Sequence, residues 1–504
     1  MNKYTHDMLV IGGGAAGLTV TSGAAQLGLK TALFEKERTG GDCLYYGCVP
    51  SKTLLKSAYL YYQAGKFPSF GLPAPLLGKP DLGTIMSHVN DVIKIIEEND
   101  SVERFERLGA EVYKGSPRFV SPHEIMLDGK IYSSPSIVIS TGSSPFIPPI
   151  SGLVEAGFIT NKDLFSLKEL PQSLIVIGGG PIGVELGQAF SRLGSKVTII
   201  SSSPHLLPKE DADMAQIIEQ QLIKEGVLII NNARAESASA SRDVNSPGGK
   251  NLKEIKYTLK DKNGEIFSAK GEMILIAAGR RGNIENLDLD KAGVIINKNY
   301  IQVNSKLQSS RKNIRAIGDV NGNHLFTHVA GAEGSFVIKS AVLHLPGRFS
   351  YNHVPWCTYS DPELSSVGYN EKRAKEAGLS YTTVTSRLSG VDRAQAENRT
   401  SGKIKILIDK KERVIGTQIA GAGAGDLILP SLYAVTKKYR LMEIMSPVFP
   451  YPIMGEIQKK AASGYYSPKF FNSRVRKMLK TIFGYRGPGP AEKNKDSESN
   501  RENT

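Results

Sequence analysis

Two of the three cysteines in this 504-residue chain, Cys43 and Cys48, stand with four residues between them in "GGDCLYYGCVPSK", residues 40–52. Three uses fit so close a pair: a structural disulfide, a metal site or a redox couple. A disulfide closing so small a ring constrains little of the unfolded chain and stabilises a fold only weakly. A metal site needs more Cys or His ligands nearby, and the segment holds none. What the pair does well is accept two electrons and pass them on by thiol–disulfide exchange.

Such a pair needs a source of electrons and a frame to hold it. Upstream, "MLVIGGGAAGLTVTSGAAQLGLKTALFEK" reads as an apolar strand, a glycine turn, a helix and a second strand. Gly12, Gly14 and Gly17 take the G-x-G-x-x-G positions, and Glu35 closes the second strand. The first two glycines let the backbone turn tightly and approach a pyrophosphate seated on the helix N-terminus. The third lets helix and strand pack closely, and the Glu35 carboxylate accepts from a ribose hydroxyl. A plain strand-to-helix turn without a ligand is the alternative for the triplet taken alone.

The pattern recurs in "SLIVIGGGPIGVELGQAFSRLGSKVTII", with Gly178, Gly180 and Gly183 at the same mutual spacing. Two such units imply two dinucleotides, the usual pair being a flavin and a nicotinamide cofactor. At the position equivalent to Glu35 stands Ser201, in "IISSSPHLLPK". An acid there would grip a free 2′-hydroxyl and repel a 2′-phosphate, so the serines lean the choice toward NADPH over NADH. Two more strands end in glycine where a chain would pass close to a cofactor: Thr141-Gly142 and Gly279-Arg280. Farther on, Gly318-Asp319 stands at a strand end before a helix, and both Asp319 and Thr327 are assigned to cofactor binding. Ordinary turns, and for Asp319 a helix cap, are the alternatives.

Bulk properties agree with several domains of a globular protein. The length is too great for one core. No apolar run approaches the roughly 20 residues that span a bilayer. With no signal peptide read ahead of "DMLVIGGG", the expected location is the cytoplasm, where a close cysteine pair is seldom structural. The net charge of +14 fits nucleic acid or an anionic membrane, yet Lys and Arg are spread along the chain until after Lys469 and no nucleic-acid motif accompanies them.

The chain resembles the pyridine nucleotide-disulfide oxidoreductases, the group of dihydrolipoamide dehydrogenase, glutathione reductase and mercuric reductase, from residue 7 to about 465. Both glycine fingerprints, "GGDCLYYGCVPSK", "AIGDV" and "WCTYSDPELSSVGY" carry the likeness. It implies an α/β fold with two Rossmann-like dinucleotide-binding domains, for FAD and NAD(P), plus an α+β C-terminal dimerisation domain. The expected order is an FAD-binding part at 1–155, an NAD(P)-binding domain at 156–280 and a return to the FAD domain at 281–348. An interface domain at 349–465, a basic amphipathic helix at 466–486 and a disordered tail at 487–504 complete it. The resemblance also implies a homodimer, with Cys48 against the flavin and Cys43 meeting the substrate. Lys52 matches the lysine beside the flavin, and its glutamate partner matches Glu185.

Substrate is where the family's pattern breaks. Its disulfide reductases carry His-Pro-Thr and, three residues on, Glu. The resemblance implies a histidine that reaches across the dimer as acid–base partner of the exchanging thiol, oriented by that Glu. Here the stretch is Tyr451-Pro452-Ile453 with Glu456 in register. A phenol near pKa 10 is a poor general base at neutral pH. The wording "FPY" and "GGDC" look more like mercuric reductase, whose usual second cysteine pair this sequence does not show. The expectation is an NAD(P)H-dependent reductase passing hydride through FAD to Cys43–Cys48 and on to a thiol-reactive substrate. Dihydrolipoyl dehydrogenase is the alternative. A third reading, a redox-responsive flavoprotein at a membrane, rests on the tail. There Val475, Met478, Leu479, Ile482 and Phe483 share one helical face, and Arg474, Arg476, Lys477 and Lys480 crowd the rest.

Overall fold

The computed structural model describes residues 4–242, 251–260, 262 and 264–487. Short apolar runs with no alternation, such as "MLVI" and "IVI", predict strands buried on both faces. They become the centre of a five-stranded parallel sheet in the order Ile314–Ala316, Ile137–Ile139, Met8–Ile11, Thr31–Glu35 and Glu111–Lys114. Leu9 pairs with Ile137 on one side and Ala32 on the other, and Leu9, Val10, Leu33 and Val138 are fully buried. The late strand Ile314–Ala316 completes this first sheet.

A second parallel sheet repeats the plan, ordered Leu228–Ile230, Lys196–Ile200, Ser173–Ile177 and Met273–Ile276. A C-terminal five-stranded antiparallel sheet, Trp356–Thr358, Glu363–Gly368, Val414–Gly421, Lys403–Ile408 and Thr382–Arg387, packs on helices that include Glu456–Phe470. This is the α/β architecture with two dinucleotide-binding units that the sequence predicts.

One apolar core decides where the cysteines sit. Leu54 and Ala58, on the helix Cys48–Ala64, share a cluster with Val184, Leu186 and Phe190 of the second fingerprint helix, Pro181–Leu193. The cysteine helix is thereby laid against the second nucleotide-binding unit.

The single helix expected over 466–486 is two. Glu456–Phe470 ends at Phe471, and Ser473–Phe483 starts anew. Asn472 has extended backbone and its side chain accepts from Val475 N at 3.0 Å, so it caps the second helix rather than continuing the first. Of the tail expected to be disordered, 488–504 lie outside the described residues. Among the described residues no helix is long and apolar enough to cross a membrane.

Candidate active site

The first glycine fingerprint closes on itself by backbone contact. Gly12 has φ +101°, and a Cβ there would lie 2.4 Å from Ser140 O. A Cβ on Gly17 would meet Gly12 O at 1.9 Å, which is why helix Ala15–Gln26 approaches its strand so closely. Gly14, by contrast, faces open space. Glu35 is held at the strand end, Oε2 accepting from Gly13 N at 2.6 Å and Oε1 from Glu37 N at 2.7 Å.

Gly12, Gly14, Glu35, Thr141 and Gly142 line one cleft with Arg38, Asp42, Ser143 and Asn283. Thr141 donates from Oγ1 to Asn283 O at 2.6 Å and accepts at its own carbonyl from Asn283 Nδ2 at 2.8 Å, so the strand end is pinned open. Asp319 lies within the one-turn helix Gly318–Asn321 and is no helix cap. Its carboxylate accepts from Ser143 Oγ at 2.6 Å, while burial pushes its acidity down. Arg280 ties this wall to the redox loop. It reaches Asp42 Oδ2 at 2.9 Å and Ser143 Oγ at 2.7 Å. The sequence marks Gly279-Arg280 only as a strand end and gives no sign of Ser143 and Asn283, because nothing local marks these residues as partners.

The second fingerprint mirrors the first. Gly178 has φ +126° with Ala277 O where a Cβ would come to 2.2 Å, Gly180 is open, and Gly183 packs on Gly178 O. Ser201 is buried and accepts at Oγ from Ser203 N at 3.3 Å. A Cβ on Gly179 would meet Ser201 Oγ at 2.6 Å, the same relation that Gly13 has to Glu35.

Between the two units lies the cysteine loop. Cys43 is on the short helix Gly41–Tyr45, and Cys48 opens the helix Cys48–Ala64. Both are free thiols, Cys43 half-buried and Cys48 solvent-accessible at its helix head. A hydrogen bond from Cys43 is the main force holding the Cys48 thiol down, to about 6, against the opposing effect of burial. A hydrogen bond with Thr327, whose Oγ1 is 3.5 Å from Cys48 Sγ, and the charge of Lys52 add to it. The helix N-terminus favours a thiolate in the same sense. Cys43 is pushed well up, first by that same hydrogen bond and then by burial. The pair is thus unequal, with the proton on Cys43.

Lys52, four residues along the same helix, sets Nζ 2.8 Å from Glu185 Oε2. Burial opposes its charge, but Glu185 outweighs burial and raises its pKa. Tyr359 of the C-terminal sheet region completes this group. Its backbone N donates to Glu185 Oε1 at 2.8 Å, and its ring lies 4.6 Å from Lys52 Nζ. Cys357 is no partner of the pair; burial raises its thiol far above the ordinary range.

Tyr451 and Glu456 stand apart from the rest. Tyr451 is 71 % exposed, and its hydroxyl donates to Asp392 Oδ2 at 3.0 Å. Glu456 begins the helix Glu456–Phe470, and its buried Oε2 has no hydrogen-bond partner. The expected Tyr451–Glu456 partnership is therefore replaced by Tyr451–Asp392, because the loop carrying Tyr451 turns toward the helix Asp392–Ala396.

Comparison with known proteins settles the family. The pyridine nucleotide-disulphide oxidoreductase model matches residues 6–334, and the dimerisation domain of that family matches 354–462. The chain belongs to the pyridine nucleotide-disulfide oxidoreductases. It is 32 % identical over 464 residues to mercuric reductase of Lysinibacillus sphaericus, spanning 92 % of this chain and 83 % of that one. It is also 32 % identical over 463 residues to dihydrolipoyl dehydrogenase of Geobacillus stearothermophilus, at 90 % and 95 %. Among solved structures, LpdA of Mycobacterium tuberculosis superposes with a TM-score of 0.80 at 26 % identity, covering 91 % of this chain and 99 % of LpdA. The Cu(II) complex of the HOCl-induced flavoprotein disulfide reductase RclA of Escherichia coli gives 0.77 at 28 %, covering 92 % and 99 %.

The protein is accordingly an FAD-dependent oxidoreductase of this family that uses NAD(P)H and carries a disulfide redox centre, and its dimerisation domain makes it a homodimer. The cleft fits FAD: a turn no Cβ could enter, an open Gly14 and a fixed carboxylate at the strand end. When bound, FAD supplies a two-electron relay between a nicotinamide and a disulfide.

Proposed function

We propose that this oxidoreductase delivers electrons from NAD(P)H, with NADPH preferred, through Cys48 and Cys43 to a thiophilic substrate of the mercuric-ion class. In this reading Gly12, Gly14, Gly17, Glu35, Thr141, Gly142, Asp319 and Thr327 serve FAD, and Gly178, Gly180, Gly183, Ser201 and Gly279 serve the nicotinamide cofactor. Lys52 and Glu185 hold a positive charge beside the Cys48 thiolate, and Cys43 is the thiol that exchanges with substrate. The observation that carries the reading is Tyr451. The position where related disulfide reductases place a histidine base holds an exposed phenol, hydrogen-bonded to a carboxylate and so resistant to ionisation.

A group of that kind serves poorly as a base for opening a disulfide, whereas it offers oxygen lone pairs to a soft cation held by thiolates. Likeness to mercuric reductase over most of the chain agrees with this choice, and equal likeness to dihydrolipoyl dehydrogenase keeps lipoamide as the alternative. In this reading the reaction runs in the cytoplasm, and NAD(P)H, through FAD, re-reduces Cys43 and Cys48 on each cycle. Steady-state turnover of the purified holoenzyme with mercuric ion, lipoamide, glutathione disulfide and a quinone tests it. Mercuric ion should lead; lipoamide in the lead would instead support dihydrolipoyl dehydrogenase.

The tail supports a second reading, weak contact with anionic lipid. Met478, Ile482 and Phe483 on helix Ser473–Phe483 are exposed in the chain, at 51 %, 61 % and 61 %, beside the basic residues of the same helix. Co-sedimentation with anionic vesicles should fall on truncation after Phe471. No difference would assign the helix to docking on its own dimer.

A further inference from the structure

Asp392 comes from a segment with no part in either nucleotide fingerprint or the cysteine loop, yet it takes the one hydrogen bond that the Tyr451 hydroxyl donates. It is the first residue of the short helix Asp392–Ala396. Its other oxygen, Oδ1, lies 3.7 Å from Lys460 Nζ, and Lys460 also donates to Gly390 O just ahead of that helix. Lys460 sits one turn along from Glu456, on the helix that follows Tyr451. The carboxylate is thus hydrogen-bonded by the phenol at one oxygen and approached by an ammonium at the other.

Resting on the functional reading above, we propose that Asp392 is the positioning residue of Tyr451, and that it selects thiophilic cations over disulfides as substrate. The argument is one of hydrogen-bond direction. A phenol has one O–H and two lone pairs. With the O–H committed to Asp392, only the lone pairs remain for the substrate that the functional reading above brings to Tyr451 across the dimer, so the group presents an acceptor and withholds a donor. A disulfide being opened needs a proton delivered to its leaving sulfur. A two-coordinate soft cation on thiolates needs no proton and gains from an additional oxygen donor. The negative charge of Asp392 also opposes loss of the phenolic proton, which keeps the oxygen neutral. Glu456, whose free oxygen makes no bond to Tyr451, does not take this role.

The test is a double-mutant cycle in the full-length holoenzyme, with mercuric ion as the probe. Asp392→Ala should lower kcat/KM about 10- to 100-fold, the range typical when the partner that orients a metal-facing side chain is removed. The loss should appear in kcat more than in KM. Asp392→Asn, which keeps an acceptor oxygen, should recover most of it. Adding Asp392→Ala to Tyr451→Phe should cost nothing further, because the two residues act as one unit. Ultraviolet difference titration of wild type against Tyr451→Phe, repeated in the Asp392→Asn background, should show the phenol ionising at lower pH once the charge is gone. Full activity of Asp392→Ala on mercuric ion, losses that multiply in the double variant, or an unmoved phenol titration each overturn this proposal alone. A wild-type enzyme that turns over lipoamide but no thiophilic cation overturns the functional reading and this proposal together.

Discussion

Glu185 bridges two residues that the sequence keeps far apart: its Oε2 lies 2.8 Å from Lys52 Nζ and its Oε1 accepts from Tyr359 N at 2.8 Å. One carboxylate on the second fingerprint helix thereby fixes the lysine of the cysteine helix and the edge of the C-terminal sheet region. The charge that favours a thiolate at Cys48 is held in place by a residue of a different unit.

Removing that carboxylate should cost stability. Deleting one partner of a fully buried ion pair costs about 3–5 kcal/mol. Here Glu185 is nearly buried, but the Lys52 side chain is 36 % exposed, so solvent screens part of the loss. Glu185→Ala should destabilise the protein by about 1–3 kcal/mol in urea unfolding. The Lys52 pKa is raised in the fold, so the pair's contribution is complete at neutral pH and fades only as pH rises through the lysine's own titration. Equal stability of variant and wild type at pH 7 would show the pair to be energetically idle.

The unequal thiols make a second prediction. Cys48 ionises at about 6 and Cys43 far above it, so the reduced enzyme near neutral pH carries one thiolate, on Cys48. Because this acidic pKa is depressed in the fold, its contribution to stability is present at alkaline pH and is lost as pH falls through about 6. Alkylation of the reduced wild type should follow that midpoint. In Cys43→Ala the hydrogen bond that most lowers Cys48 is gone, and the midpoint should move toward the ordinary ~8.5. The long-wavelength absorbance of a thiolate beside flavin should survive in Cys43→Ser and vanish in Cys48→Ser. Identical spectra from the two would reverse or abolish the assigned roles.

Legibility in the sequence followed the range of the physics. The glycine turns could be read because their demands are local: φ of +101° at Gly12 and +126° at Gly178, each against a backbone carbonyl of the next strand. The Cys48–Lys52 spacing was readable for the same reason, since residues four apart share a helical face. Contacts made by tertiary packing left no such mark. Tyr359 meets Glu185, and Arg280 meets Asp42 and Ser143, only after the sheets have docked. The amphipathic set Val475–Phe483 lies within the helix Ser473–Phe483, while the start expected at 466 falls in the preceding helix, because the capping side chain of Asn472 begins a new one.

Nucleotide choice is open to a direct swap. Ser201 occupies the site of Glu35, and each lies against the glycine that follows the first of its own fingerprint, Gly179 and Gly13. Wild type should show the higher kcat/KM with NADPH. Ser201→Glu should shift the NADPH-to-NADH ratio toward NADH by about tenfold, the effect of roughly 1.4 kcal/mol of charge repulsion. A wild-type preference for NADH would mean that the serines only tolerate the 2′-phosphate.

The histidine that related disulfide reductases carry can be restored to test what the phenol gave up. General acid–base assistance is typically worth about 100- to 10,000-fold, and it needs a group that exchanges its proton near the working pH. Tyr451 cannot, because the hydrogen bond to Asp392 and the charge of that carboxylate keep it protonated. Lipoamide turnover by wild type should therefore be slow at pH 7. In Tyr451→His, an imidazole beside Asp392 would titrate close to neutrality, and lipoamide turnover should rise by at least about tenfold. Tyr451→Phe keeps the ring and removes the oxygen, so it should leave lipoamide turnover as slow as before while reducing turnover of mercuric ion. Wild-type lipoamide activity at the level of a dedicated dihydrolipoyl dehydrogenase would show that proton transfer at this site does not depend on residue 451. The reading built on Tyr451 would then give way to the dehydrogenase.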